Sequence, residues 1–126
     1  MSHRLLIVED SPLLRATACR AAVQAGVAPE CVRQAGDGAQ ALALLAFEPA
    51  DLVLLDLNLS VMDSYQFLEQ MAAIPALASV KVALVTAEGN TKRLARLLQL
   101  GVVHYLRKPL EPEDLRALLR SLFATT

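Results

Sequence analysis

Only two cysteines, Cys19 and Cys31, occur among the 126 residues. They form neither a CxxC pair nor any other metal-ligand spacing, so they read as small buried apolar residues in a reducing compartment, with no disulfide expected. No sign of charge dominates either. Twelve Lys and Arg stand against 13 Asp and Glu, for a net charge of -1, which removes the electrostatic footprint of a nucleic-acid or acidic-lipid binder. No apolar run approaches the roughly 20 residues that span a bilayer. Met1-Ser2-His3-Arg4 runs through a short apolar stretch straight into Glu9 and Asp10, which leaves no signal-peptide core. No membrane role is expected, and the location expected is cytoplasmic. Internal repeats, linkers and low-complexity segments are also lacking, so residues 1–126 are expected to form one domain. At 55% hydrophobic content such a chain can bury roughly two-thirds of the surface its unfolded form exposes.

What is present is an alternation. Leu5 to Val8, Leu52 to Leu55, Val82 to Val85 and Val102 to Leu106 are short, mostly continuous apolar runs, as expected of parallel strands covered on both faces. Cys31 to Ala35 is a weaker run carrying Arg33 and Gln34, and suits a sheet edge. Stretches of helical character separate them. Ser11-Pro12 opens a helix to about Ala25, stopped by Gly26; Asp37-Gly38 precede an Ala/Leu helix to about Phe47 whose stripe from Ala39 to Leu45 is core. Ser64 to about Ala73 is a third helix. Asn90 caps a fourth that runs to Leu100 and ends at Gly101. In the fifth, Pro112 sits in the first turn and Leu115, Leu118, Leu119, Leu122 and Phe123 follow the helical rule. Five strands alternating with five helices predict an α/β fold with a doubly wound parallel sheet.

In such sheets functional groups gather beyond the carboxyl ends of the strands. Glu9 and Asp10 follow the first run, Asp56 the third, Thr86 ends the fourth, and Lys108-Pro109 follow the fifth. Alone, each has an ordinary structural reading: helix-capping acids, a turn acid, a strand-end hydroxyl, a surface charge. Those readings give no reason for four strand ends to carry such residues together. Both familiar nucleotide-binding loops are absent, since Glu9-Asp10-Ser11-Pro12 is neither GxGxxG nor GxxxxGK[ST]. Three carboxylates drawn into one crevice would raise each other's pKa, so one takes up a proton or a cation is bound. Oxygen ligands with open positions favour a hard divalent ion such as Mg2+.

This constellation closely resembles the receiver domains of two-component response regulators, and the resemblance covers essentially the whole chain. It includes Ala35-Gly36-Asp37-Gly38, Met62-Asp63, and Gly101 with Tyr105 ahead of Lys108. The resemblance implies a flavodoxin-like (βα)5 fold with strand order 2-1-3-4-5, and a cis Lys108-Pro109 bond. It implies that Asp56 accepts a phosphoryl group from a sensor histidine kinase or histidine phosphotransfer protein. Asp10, Asp56 and the Asn58 carbonyl would hold Mg2+, with Glu9 acting through a coordinated water. Lys108 and the Thr86 hydroxyl would contact the phosphoryl oxygens. Thr86 and Tyr105 would form the switch, reshaping the surface of the fourth helix, fifth strand and fifth helix for a downstream protein target or output domain. Asn58 and Glu88 would flank the water that hydrolyses the acyl phosphate, and both match short-lived chemotaxis-type receivers. A small aspartyl-nucleophile phosphatase is the alternative, because Asp56-Leu57-Asn58-Leu59-Ser60 is weakly similar to a DxDx[TV] loop; Asn58 lacks the second acid. A flavin carrier on the same fold is disfavoured by the acidic first loop.

The sequence departs from the family at two positions. Ser60 stands where proline is usual, which frees φ, and Ser64 stands where glycine is usual, which removes easy access to positive φ. His104 reads as a surface or edge residue; Lys92, Arg93 and Arg96, and likewise Arg116 and Arg120, read as solvated helix faces.

Overall fold

The computed structural model describes residues 3–57, 59, 62–86 and 91–123. The strands are β1 (Leu5–Val8), β2 (Val32–Ala35), β3 (Leu52–Asp56), β4 (Lys81–Thr86) and β5 (Val102–Arg107). The helices between and after them are α1 (Pro12–Gln24), α2 (Gly38–Phe47), α3 (Ser64–Ala72), α4 (Thr91–Leu98) and α5 (Pro112–Phe123). The strands form one sheet in the order β2-β1-β3-β4-β5, every neighbouring pair parallel. This is the doubly wound order expected, with weakly apolar β2 at one edge.

The continuous apolar runs explain the topology. Every residue of β1 and β3 is buried, so both faces must be covered, and parallel strands joined through right-handed helical crossovers supply that cover. Alternation then divides the core in two. Leu6, Val8, Val53, Leu55, Val82 and Leu84 pack with Leu45 of α2, Phe67, Leu68 and Met71 of α3, and Leu97 of α4. Leu5, Ile7, Leu52, Leu54, Ala83 and Val85 pack on the other side with Ala21 and Ala22 of α1 and Leu115 and Leu118 of α5.

Helix starts follow their local chemistry. The Ser11 hydroxyl accepts from the Leu14 N–H with Pro12 in the first turn, and Asp37 accepts from the Gln40 N–H. The α1 end is turned by Gly26 at φ 107°, a conformation that costs other residues more. The expected boundaries shift slightly. Cys31 closes a single 3-10 turn, Pro29–Cys31, and β2 begins after it. Both cysteines are half-buried rather than buried, and both are free, because they lie at the rim of the α1/α5 core and not within it. In α2 the core stripe narrows to Ala41 and Leu45, Ala39 and Ala43 being exposed. α4 ends two residues before the predicted Leu100, and Asn90 lies outside the described residues. Between β4 and β5 the register shifts at Val82/Ala83, whose partners are Val102 and His104.

Candidate functional site at the carboxyl ends of the strands

Backbone pairing delivers the polar residues to one level. The Glu9 N–H donates to the Ala35 carbonyl at 3.1 Å, which prolongs the pairing of β1 with β2 by one residue. The Leu57 N–H donates to the Val85 carbonyl at 3.1 Å and the Lys108 N–H to the Thr86 carbonyl at 2.8 Å. Asp56 and Thr86 are the last residues of their strands, paired with Val85 and Arg107. The Lys108-Pro109 bond is cis, as the family resemblance implied.

One carboxylate oxygen from each of Glu9, Asp10 and Asp56 lies within 4.8 Å of the other two. Glu9 and Asp56 are buried and Asp10 is exposed, so the cluster has a closed floor and an open side. Lys108 reaches across it, its Nζ 2.8 Å from Glu9 Oε1 and 3.0 Å from Asp56 Oδ1. The crowding of acids foreseen in the sequence is thus relieved in part by a cation from the chain itself. Glu9 is held further by the Ser11 N–H, which donates to Oε2 at 3.3 Å, while its carbonyl accepts from Arg15 Nη1 at 2.8 Å. Burial pulls the Lys108 pKa down, but hydrogen bonds to Glu9 and Asp56 and their negative charges outweigh it, and the net shift is upward. Three carboxylates still face one ammonium. A cluster of hard oxygen donors with residual negative charge and an open side fits a divalent cation of the Mg2+ type.

The loop after β3 returns to the site through Met62, Asp63 and Ser64. Gly38 has no Cβ where the Met62 side chain comes closest; a Cβ there would meet Met62 Sδ at 3.0 Å. The second glycine of Ala35-Gly36-Asp37-Gly38 therefore makes room for the methionine of Met62-Asp63. Asp63 caps α3 in a reciprocal capping box with Gln66, a start legible in the D-x-x-Q spacing although the sequence reading marked only Ser64. Among the described residues no non-glycine residue has positive φ. The expected backbone difficulty at Ser64 does not arise, since Ser64 takes the first helical position. Its side chain is fully buried, and its hydroxyl lies 2.6 Å from the Asp56 carbonyl and 3.0 Å from that of Leu57. No sequence pattern announced that contact.

Tyr105 is not part of the cluster. It is 44% exposed on β5 and stacks on the exposed His104 with ring centroids 5.8 Å apart. Asn58, Ser60 and Glu88 lie outside the described residues. Two basic residues read as solvated are engaged. The Arg96 guanidinium sits 3.8 Å from the centroid of the Tyr65 ring, joining α4 to α3, because an arginine stem on an exposed face still gains by covering an aromatic ring. Arg116 donates to the Gln24 carbonyl at the end of α1 at 2.7 Å, supplying a helix terminus with a partner.

The chain is similar to known proteins. A probable chemotaxis protein CheY from Rhizobium etli is 30% identical over 120 residues, which are 95% of this chain and 92% of that protein. A probable transcriptional regulator, ycf29, from Porphyra purpurea is 30% identical over 97% of the chain, which spans only 57% of that relative's length. The receiver domain of a sensor histidine kinase from Pseudomonas aeruginosa, solved with a magnesium ion coordinated in its active-site cleft, superposes with a TM-score of 0.86 at 25% identity, covering 99% of this chain and 100% of that one. The family model for the response regulator receiver domain matches residues 5–120, and with the five-stranded 2-1-3-4-5 sheet and the acidic cluster at its carboxyl edge, the chain belongs to the response regulator receiver family.

Proposed function

We propose that this receiver takes a phosphoryl group onto Asp56 and passes the change in charge to a protein partner. The observation that carries the reading is the placement of Asp56: buried, at the end of β3, 3.0 Å from the Lys108 ammonium and within reach of two further carboxylates. A carboxylate oxygen of Asp56 attacks phosphorus and the donor's leaving group departs with its bonding electrons, giving an acyl phosphate. Such transfer asks mainly for positioning and neutralisation of charge. Lys108 exchanges one carboxylate contact for a phosphoryl oxygen, and the Thr86 hydroxyl, at the end of the adjacent strand, donates to another. Glu9, Asp10 and Asp56, with the Asn58 carbonyl, would hold Mg2+. The ion supplies charge neutralisation of the phosphoryl oxygens and orientation of the donor.

The donor proposed is a sensor histidine kinase or a histidine phosphotransfer protein, and the reader a downstream protein target or an output domain. Kinship with a chemotaxis protein, a transcriptional regulator and the receiver of a sensor kinase supports that range. The exposed Tyr105 ring on β5, between α4 and α5 in the chain, offers a surface that can change when Thr86 moves. Among the described residues no helix is long and apolar enough to cross a membrane. Treatment with acetyl phosphate and Mg2+ is expected to raise the intact mass by a single phosphoryl group, and Asp56→Asn to abolish the increment. An undiminished increment in that variant refutes the assignment.

A further inference from the structure

We propose that Ser64 is a positioning residue for the phosphoacceptor: its hydroxyl ties the first turn of α3 to the carbonyls of Asp56 and Leu57, and so fixes the end of β3 from which the nucleophile projects. The inference rests on the reading of Asp56 as phosphoacceptor and goes beyond it, because the family usually has glycine at this position and glycine cannot make the tie.

The geometry is specific. Ser64 is 0% exposed, and its single hydroxyl proton is shared between two acceptors, the Asp56 carbonyl at 2.6 Å and the Leu57 carbonyl at 3.0 Å. Those carbonyls lie at the carboxyl end of β3. Asp56 is the last residue of β3, and just beyond it the Leu57 N–H donates to the Val85 carbonyl. A serine at the first helical position has its side chain directed back toward the helix start, where these carbonyls are. The serine is itself held in place. Asp63, immediately before it, closes a capping box with Gln66, two residues after it, and Met62 is seated against Gly38.

Two peptide units are held by this one hydroxyl. The first follows the Asp56 Cα, from which the carboxylate hangs 3.0 Å from Lys108. The second leads covalently from Leu57 into residue 58, whose carbonyl is the proposed backbone ligand. Mg2+ demands near-ideal octahedral geometry and tolerates a displaced ligand poorly, and small misplacements of a reacting group carry large costs in rate.

The test compares the wild type with Ser64→Ala and Ser64→Gly, the second matching the residue the family uses in case the first folds poorly. Mg2+ binding is measured by isothermal titration calorimetry, phosphorylation by the initial rate of mass increment from acetyl phosphate at saturating Mg2+, and stability by the urea midpoint. A residue supporting metal ligands from behind typically commands about tenfold or more, so both the Mg2+ association constant and the initial rate are expected to fall about tenfold. Mg2+ affinity and rate that stay within about twofold of wild type in a folded variant, against that expected tenfold, overturn the proposal even if the urea midpoint drops, because a purely structural hydroxyl would lower stability alone. A wild type that neither binds Mg2+ nor gains mass refutes the phosphoacceptor reading instead, so the two failures are distinct.

Discussion

The two ends of the sheet carry charge in opposite ways. At the amino ends of the strands, charges are matched and wet. Arg4 pairs with Glu48 through two exposed side chains, the Arg4 N–H donates to Asp51 at 2.7 Å, and Arg33 donates to the Leu44 and Glu48 carbonyls at the end of α2. At the carboxyl ends, three carboxylates lie together, and the two that are buried share one lysine. Exposed matched pairs contribute little to stability. Burying like charges together opposes folding, and persists where the cluster has other work. Net charge over the whole chain is nearly zero and hides this polarity. The difference teaches that imbalance and burial of charge, rather than its amount, mark the working end.

The largest effect that would break this contrast is on metal binding. Asp10→Ala is expected to cut Mg2+ affinity by about a hundredfold, since a ligand is lost from a site with few of them, whereas Asp51→Ala at the other end leaves the calorimetric isotherm unchanged. Equal losses in the two variants would place the ion away from the acidic cluster. Next comes stability without metal. Lys108→Met leaves Glu9 and Asp56 facing each other without their ammonium, and its urea midpoint is expected to fall by the equivalent of about 2 kcal/mol, below the full cost of a stranded interior charge because Lys108 is 19% exposed. Arg4→Met, which breaks a solvent-screened pair, is expected to cost within about 0.5 kcal/mol. A larger loss at Arg4 than at Lys108 reverses the comparison.

The smallest effect is on pH dependence. The folded state raises the Lys108 pKa from its ordinary 10.5, so the lysine's stabilisation is complete at neutral pH, below the unfolded value. It is lost only as pH climbs through the raised folded value. The urea midpoint of the wild type is therefore expected to decline more steeply on the alkaline side than that of Lys108→Met, with the two curves parallel between pH 7 and 9. A difference confined to the acid side would contradict the sign.

How much of this could be read before the structure depended on the kind of signal. β1 stood out as Leu5 to Val8 because an unbroken apolar run bounded by charge has few other meanings, and the strand-end positions of Glu9, Asp56, Thr86 and Lys108 followed from it. The reach of Lys108 to both Glu9 and Asp56 was not legible, since it depends on how far one flexible stem extends across two neighbouring loops. The role of Ser64 is hidden from the sequence for a related reason. The sequence shows that glycine's backbone freedom is missing, but not that the first turn of a helix removes the need for it and directs the hydroxyl at two carbonyls. Arg96 looked solvated because its partner, Tyr65, sits on a different helix far away in the chain.

The division of the core by the sheet has a consequence for inheritance. Leu6 and Ile7 are adjacent in the chain, yet one packs with Phe67 and Leu68 of α3 and the other with Leu115 of α5, with the sheet's backbone between them. Substitutions on the two sides share few contacts, and sites without shared partners have nearly additive effects. A lineage can therefore reshape the α2, α3 and α4 layer in small steps while the α1 and α5 layer stays as it was. Single strands, alternating one residue to each layer, carry both histories at once, and the carboxylates at their ends keep their places while either layer drifts.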